Sequence, residues 1–154
     1  AIYKYVLHNR DNTIDKWFLE TLGVWVSTLN KCDYCVEHHF AGLKRLLNDD
    51  AKANQIRSAI DTNNIENAPL ENRQKTAMEY ARKLTHNPGS IREENIEKLR
   101  ADGFTDGEIL EINQVCAYFS YANRTVLGLG CSTKGDVLGL SPNNNDDPND
   151  WGHS

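Results

Sequence analysis

The chain has 154 residues, enough for one domain around one hydrophobic core and too few for two independent ones. Its 22 acidic residues outnumber 17 basic ones, giving a net charge of -5; the basic residues are scattered rather than gathered into a stripe that tracks phosphates, which argues against a nucleic-acid partner. Apolar runs such as Leu22 to Leu29 are too short to cross a bilayer, and no basic segment followed by an apolar stretch and a cleavage site opens the chain, so a cytoplasmic protein without a membrane partner is expected.

In chain order, the first strong signal lies between Thr13 and Asn30. There Ile14, Trp17, Phe18, Leu22, Trp25, Val26 and Leu29 recur at intervals of three and four, the spacing of a helix with one buried stripe. Asn30 and Lys31 interrupt the pattern. It resumes through Val36, Phe40, Leu43 and Leu46 until Asn48, Asp49 and Asp50, so a second helix starts close to Cys32. A short helix is expected over Ala51 to Ile60, then another over Asn72 to Thr85 that stops at Asn87, Pro88 and Gly89. Ser90 with Glu93, and Thr105 with Glu108, fit the capping box, in which a hydroxyl and a carboxylate each satisfy a free backbone N–H. They predict one helix ending near Asp102 with Gly103 as its stop, and another from Asp106 to about Leu127, buried along Ile109, Ile112, Cys116, Phe119 and Asn123. The fold class is all-α, with a helical domain over 1–134. From Gly135 the sequence is rich in Gly, Pro, Asn and Asp, so 135–154 reads as an extended tail that Trp151 would anchor against this or a neighbouring subunit.

Four cysteines are too few for a disulfide-stapled scaffold, and two form a Cys-x-x-Cys, the pattern of redox or metal chemistry. In Cys32-Asp33-Tyr34-Cys35-Val36-Glu37-His38-His39 the thiols are one turn apart and His39 lies four residues beyond Cys35, on the same helix face. A thiolate is the nucleophile, and a helix start and a nearby imidazole both favour it. Cys35 is therefore the candidate attacking thiolate, His39 its proton acceptor and Cys32 the resolving cysteine, with the reverse assignment of the two cysteines left open by the spacing. If the two helices fold back around Leu29 and Asn30, Glu20 falls opposite His39, and a carboxylate in the apolar middle of a helix needs such a partner.

Glu20, eleven intervening residues and then Cys-x-x-Cys-x-x-x-His resemble the alkylhydroperoxidase D core of the carboxymuconolactone decarboxylase superfamily. The run Val26 to His39, with Tyr118-Phe119, Asn123-Arg124 and Gly128-Leu129-Gly130, is similar to its peroxidase-related branch. The resemblance implies an alkylhydroperoxidase D-like helical bundle, a homo-oligomer (dimer, trimer or hexamer) and a thiol-dependent peroxidase of the antioxidant kind. It further implies that Cys35 meets a small hydroperoxide, that Glu20 and His39 relay protons, and that a dithiol reductant protein or small thiol restores the pair. Two features depart from the family: less helical sequence precedes the motif, and Tyr34 stands where the family type has a histidine between the cysteines.

The same residues admit other readings. Zinc held by Cys32, Cys35, His38 and His39 is disfavoured because four ligands from one short helix do not readily close a tetrahedron, so no metal or cofactor is expected. His38 lies about 100° around the helix from His39 and is expected at solvent or an interface. Glu20 has the alternative of an ordinary surface ion pair. Cys116 and Cys131 lack a partner at motif spacing and are expected to be structural; Asn123 and Arg124 could line the pocket or bridge subunits; Trp17, Phe18, Trp25 and Phe40 are expected in the core or an interface. The competing functions are a lyase acting on a small lactone or carboxylic acid, whose family members lack the cysteine pair, and a thiol-based sensor whose oligomer responds to oxidation.

Overall fold

A computed structural model of the chain describes residues 2–139. Among them seven α-helices and two single 3₁₀ turns form the regular structure, with no strand: α1 (Ile2–Leu7), α2 (Lys16–Leu29), α3 (Asp33–Leu47), α4 (Asp50–Asp61), α5 (Asn72–His86), α6 (Glu93–Ala101) and α7 (Asp106–Gly128). Leu140 and Trp151, and with Trp151 the anchoring role given to it, lie outside the described residues.

The helix expected to bury one stripe is instead the axle of the bundle. Every residue of α2 from Phe18 to Ser27 is buried, because α3, α5 and α7 pack around it from different sides. Its sequence tolerates this because Leu19, Gly23 and Val24 occupy what would otherwise be a polar face. Trp25 satisfies its indole N–H on the carbonyl of Met78 at 2.9 Å, and Thr21 donates to the carbonyl of Trp17 at 2.9 Å. Gly23 is needed for the approach of α7, since a Cβ there would overlap the ring of Phe119.

α2 and α3 form a tight helical hairpin. Asn30 ends α2, Lys31 takes a left-handed φ of 57°, and the N–H of Cys32 turns back to the carbonyl of Ser27 at 2.9 Å. Cys32 is thus the residue that introduces α3, and its carbonyl accepts the N–H of Val36 at 3.0 Å as the first helical bond. Asn48 ends α3 in the left-handed region, and Asp49 caps α4 by accepting the N–H of Lys52 at 2.9 Å.

The two expected capping boxes have different outcomes. Thr105 and Glu108 form theirs, the hydroxyl accepting the N–H of Glu108 at 3.2 Å and the carboxylate that of Thr105 at 2.8 Å. Ser90 does not cap α6. It closes the turn Pro88–Ser90 by donating its hydroxyl to the carbonyl of Asn87 at 2.7 Å, and the helix begins two residues later behind Arg92, whose N–H goes to Asn95 at 2.9 Å.

The hydropathy pattern before Thr13 is too short to announce α1, yet it packs on α7 and α2. Its link to α2 is pinned by Glu111 of α7, whose carboxylate accepts the N–H groups of Thr13 and Ile14 at 2.9 and 3.0 Å. At the other end, the described part of the tail follows α3: Asp136 meets His38 at 3.3 Å and the carbonyl of Gly139 accepts from Arg45. Among the described residues no helix is long and apolar enough to cross a membrane.

Candidate active site

The hairpin of α2 and α3 brings Glu20 and His39 together. Glu20 is fully buried, and its Oε2 accepts Nδ1–H of His39 at 2.7 Å. The surface ion-pair alternative for Glu20 is thereby excluded. The other carboxylate oxygen, Oε1, accepts the hydroxyl of Tyr3 at 2.6 Å and Nε2–H of His8 at 3.1 Å, and those two residues are also 3.0 Å apart. Burial alone would raise the Glu20 carboxyl; the charge and hydrogen bond of His39, followed by those of His8, outweigh it and hold the group at about 2. Glu20 is therefore a carboxylate at neutral pH and can only accept. That requirement puts a proton of His39 on Nδ1, and in the neutral form of the ring Nε2 is the nitrogen that carries the lone pair. The ring itself is held edge-on to Phe119, with centroids 4.5 Å apart.

Tyr3 and His8 were missed in the sequence because Tyr3 sits on a helix only six residues long and His8 directly follows it. The available signal was weak: Tyr3, Val6 and Leu7 fall at helical spacing, but over a single turn and a half. Burial and the Glu20 carboxylate together push the Tyr3 phenol well above its ordinary value, so it stays protonated as a donor.

The two thiols meet at the start of α3. Cys32 is fully buried and Cys35 is 4% exposed; their sulfurs are 2.7 Å apart, with Cys32 donating to Cys35. A lowered Cys35 thiol was expected from the helix start and the imidazole. Instead burial, followed by the hydrogen bond with Cys32, pushes it up to about 12, while the side chain of Asn123 acts in the opposite direction. Among the described residues no hydrogen bond joins His39 to either thiol, so the Glu20–His39 pair and the dithiol are neighbouring units on α3 rather than one hydrogen-bonded chain at rest.

Asn123 is fully buried, bonded to Ser27 and Asn30 beside the thiols, whereas Arg124 is exposed and turns back to the carbonyl of Ser120 at 2.7 Å. His38 does not reach the thiols; it lies against the Tyr34 ring at 4.5 Å and faces Asp136. Cys116 is buried in the core, as a structural cysteine should be. Cys131 is exposed, so its expected structural role is corrected: it follows Gly130 in the turn that ends α7, where no core reaches it. Phe18 and Trp25 are core residues, while Trp17 and Phe40 are half-buried beneath the cations of Lys52 and Arg57. A separate cleft of about 780 Å³ between α2, α4, α5 and α6, lined by Trp25, Ile60, Tyr80, Arg82 and Lys98 among others, contains none of the expected site residues.

The all-α bundle thus carries a Cys-x-x-Cys at the mouth of one helix and a buried Glu–His pair behind it. Solved structures share this fold. The chain is similar to an uncharacterized peroxidase-related protein from Silicibacter sp. TM1040, with a TM-score of 0.77 and 30% identity over 86% of this chain and 66% of that one. It is also similar to the alkylhydroperoxidase AhpD core of an uncharacterized peroxidase-related protein from Ralstonia eutropha JMP134, with a TM-score of 0.74 and 26% identity over 83% of this chain and 64% of that one. The chain thus spans just under two thirds of the length of each of these structures. No family model matches the chain, and no curated protein does. In fold, the chain is similar to these peroxidase-related, alkylhydroperoxidase D-like structures.

Proposed function

We propose that the protein is a thiol-dependent peroxidase that reduces a small hydroperoxide at Cys35 and is itself reduced by a dithiol protein or small thiol. The observation that carries this reading is the pair of buried sulfurs 2.7 Å apart at the start of the helix that also bears His39. Two adjacent thiols one helical turn apart are the arrangement that a reversible intramolecular disulfide requires.

The chemistry balances as follows. His39 accepts the Cys35 proton on Nε2, its Nδ1–H being committed to the Glu20 carboxylate. The thiolate attacks the distal oxygen of the hydroperoxide, the O–O bond breaks, and Cys35 becomes a sulfenic acid while the alkoxide leaves with the proton from His39 as an alcohol. Cys32 then attacks the sulfenic sulfur; a disulfide forms and water leaves. The external dithiol returns two electrons and two protons. Because burial keeps the resting Cys35 thiol protonated, its ionisation belongs to the step in which His39 engages it, not to the free protein. Tyr34 takes no part in this scheme.

The test is peptide mapping of the purified protein before and after one equivalent of hydroperoxide, with iodoacetamide trapping. A Cys32–Cys35 disulfide is expected within the time in which free cysteine remains largely reduced, and a Cys35→Ser variant should not consume peroxide. Two thiols that stay free overturn the proposal.

A further inference from the structure

Glu20 is bracketed by two imidazoles, and the chemistry at Cys35 accounts for only one of them. Oε2 is taken by His39; Oε1 is taken by Tyr3 at 2.6 Å and His8 at 3.1 Å, and Tyr3 and His8 are themselves 3.0 Å apart. The Tyr3 ring lies against both imidazoles, its centroid 5.0 Å from that of His8 and 5.5 Å from that of His39. A phenol has one proton to give, and Tyr3 gives it to Glu20 over the shorter contact. Nε2 of His8 therefore faces two oxygens that offer it only lone pairs, and it must carry a proton to meet them. The other ring nitrogen, Nδ1, is then the place where a second proton binds. The His8 side chain keeps 8% exposure, enough for water to deliver that proton, whereas Glu20 has none.

These contacts set two imidazoles in competition for one charge. Glu20 is sealed from solvent and stays a carboxylate throughout the range in which histidine titrates. One imidazolium beside it balances that charge. A second, on the opposite oxygen, puts an uncompensated positive charge into the same buried cluster. The other titratable or charged groups facing the cluster do not relieve this. Tyr3 on α1 and Tyr118 on α7, whose rings are 5.9 Å apart, are both kept protonated by burial, and Arg45 on α3 is a constant cation. We propose that His8 is a positioning residue for the base: acting through Glu20, it shares the carboxylate's charge with His39, so a proton held on His8 makes His39 a weaker acceptor for the Cys35 proton. The proposal rests on the peroxidase reading for the role of His39 and adds a second imidazole to it. With His8 neutral, the full charge of Glu20 is available to the imidazolium that forms on His39. With His8 protonated, that charge is already balanced and the step at His39 is disfavoured. The peroxide reaction then falls toward acid more steeply than a single base would make it.

The test follows the protons directly, without peroxide. Histidine Cε1–H resonances of the reduced protein are recorded by NMR between about pH 5 and pH 8, where histidine titrates, with His39 assigned by the loss of its signal in His39→Gln. In wild type the His39 curve should show two steps, its own protonation and that of His8. His8→Gln keeps an N–H donor for Glu20 and Tyr3 but cannot take a proton. Its His39 curve should therefore collapse to one step, with the midpoint moved up by about half a pH unit or more. Tyr3→Phe removes a donor and leaves both imidazoles, so two steps should remain; a merely structural role for His8 predicts that the two variants behave alike. In the peroxide reaction at about pH 5.5, His8→Gln should keep at least ~2-fold more of its neutral-pH rate than wild type keeps. A His39 curve that is the same in wild type and His8→Gln overturns the proposal, as does a single-step wild-type curve if His8→Gln does not fold. Wild-type protein that forms no Cys32–Cys35 disulfide with peroxide overturns the peroxidase reading instead, and leaves the titration comparison standing.

Discussion

Replacing Glu20 with Gln tests the back of the site, because the change keeps the volume and removes the charge. Glu20 accepts from Tyr3 at 2.6 Å, His8 at 3.1 Å and His39 at 2.7 Å. Gln has one acceptor oxygen and an NH₂, so it keeps Tyr3 and His8 only by turning the NH₂ toward His39. His39 must then move its proton from Nδ1 to Nε2 in order to accept. The two short bonds each fall from a charge-assisted ~1.5–3 kcal/mol to about half of that, a total loss of roughly 1.5–3 kcal/mol. For a chain of this size the loss corresponds to a fall of roughly 3–12 °C in Tm, measured by far-UV circular dichroism at pH 7. The pH dependence has a definite sign. The folded carboxyl is held at about 2, below its ordinary 4.5, so its contribution is complete above pH 4.5 and is lost as pH falls toward 2. The gap in Tm between wild type and Glu20→Gln should therefore be constant at neutral pH, narrow below 4.5 and close near 2. Disulfide formation with peroxide should also fall, by ~10²–10⁴-fold, because Nε2 has lost its lone pair to the proton. A gap that is absent at pH 7, or one that does not narrow in acid, refutes the assignment of Glu20 as a buried carboxylate held by these donors.

Two further outcomes follow from packing and exposure. Gly23→Ala places a methyl group into the ring of Phe119, which also supports His39, so it should cost ~1–3 kcal/mol in urea unfolding and slow the peroxide reaction as well; a variant as stable and as fast as wild type contradicts the close approach of α2 and α7. Iodoacetamide added to the reduced, folded protein should label Cys131 readily and Cys116 only after denaturation, since burial pushes the Cys116 thiol up to about 12; comparable labelling of both in the native state would place Cys116 outside the core.

Most of the helices were legible in the sequence because their buried faces repeat at helical spacing, and the start of α7 was legible because Thr105 marks it with chemistry as well as pattern. Proximity of Glu20 and His39 was legible too, since a short hairpin between two helices leaves little freedom over which residues face each other. Three things were not. The burial of α2 on all sides depends on what surrounds it, and Leu19 or Val24 looks the same in sequence whether it faces a neighbour or water. Ser90 carried the right spacing to Glu93, but Asn87 and Pro88 had already committed it to a turn. Tyr3 and His8 belong to the site only through α1, whose six residues are too few for periodicity to declare them.

The opposite fates of Glu20 and Cys35 come from the same cause met by different numbers of partners. Both are buried, and burial penalises the charged form of each. Glu20 has three donors directed at it, and the balance falls toward the anion. Cys35 has Asn123 on one side and the competing thiol of Cys32 on the other, and the balance falls toward the neutral thiol. The permanent charge is therefore stored one turn away from the sulfur, where it orients the imidazole. A site arranged in this way keeps its base ready and its nucleophile protonated, so the resting dithiol should be slow toward a general alkylating agent and faster toward a substrate that brings Cys35 and the His39 lone pair together. Comparing the pH 7 rate constants for iodoacetamide and for a hydroperoxide at Cys35 measures that difference. A peroxide rate that merely parallels alkylation across pH, with no separate dependence on His39→Gln, would mean that the thiol acts alone and that the buried pair serves the fold instead.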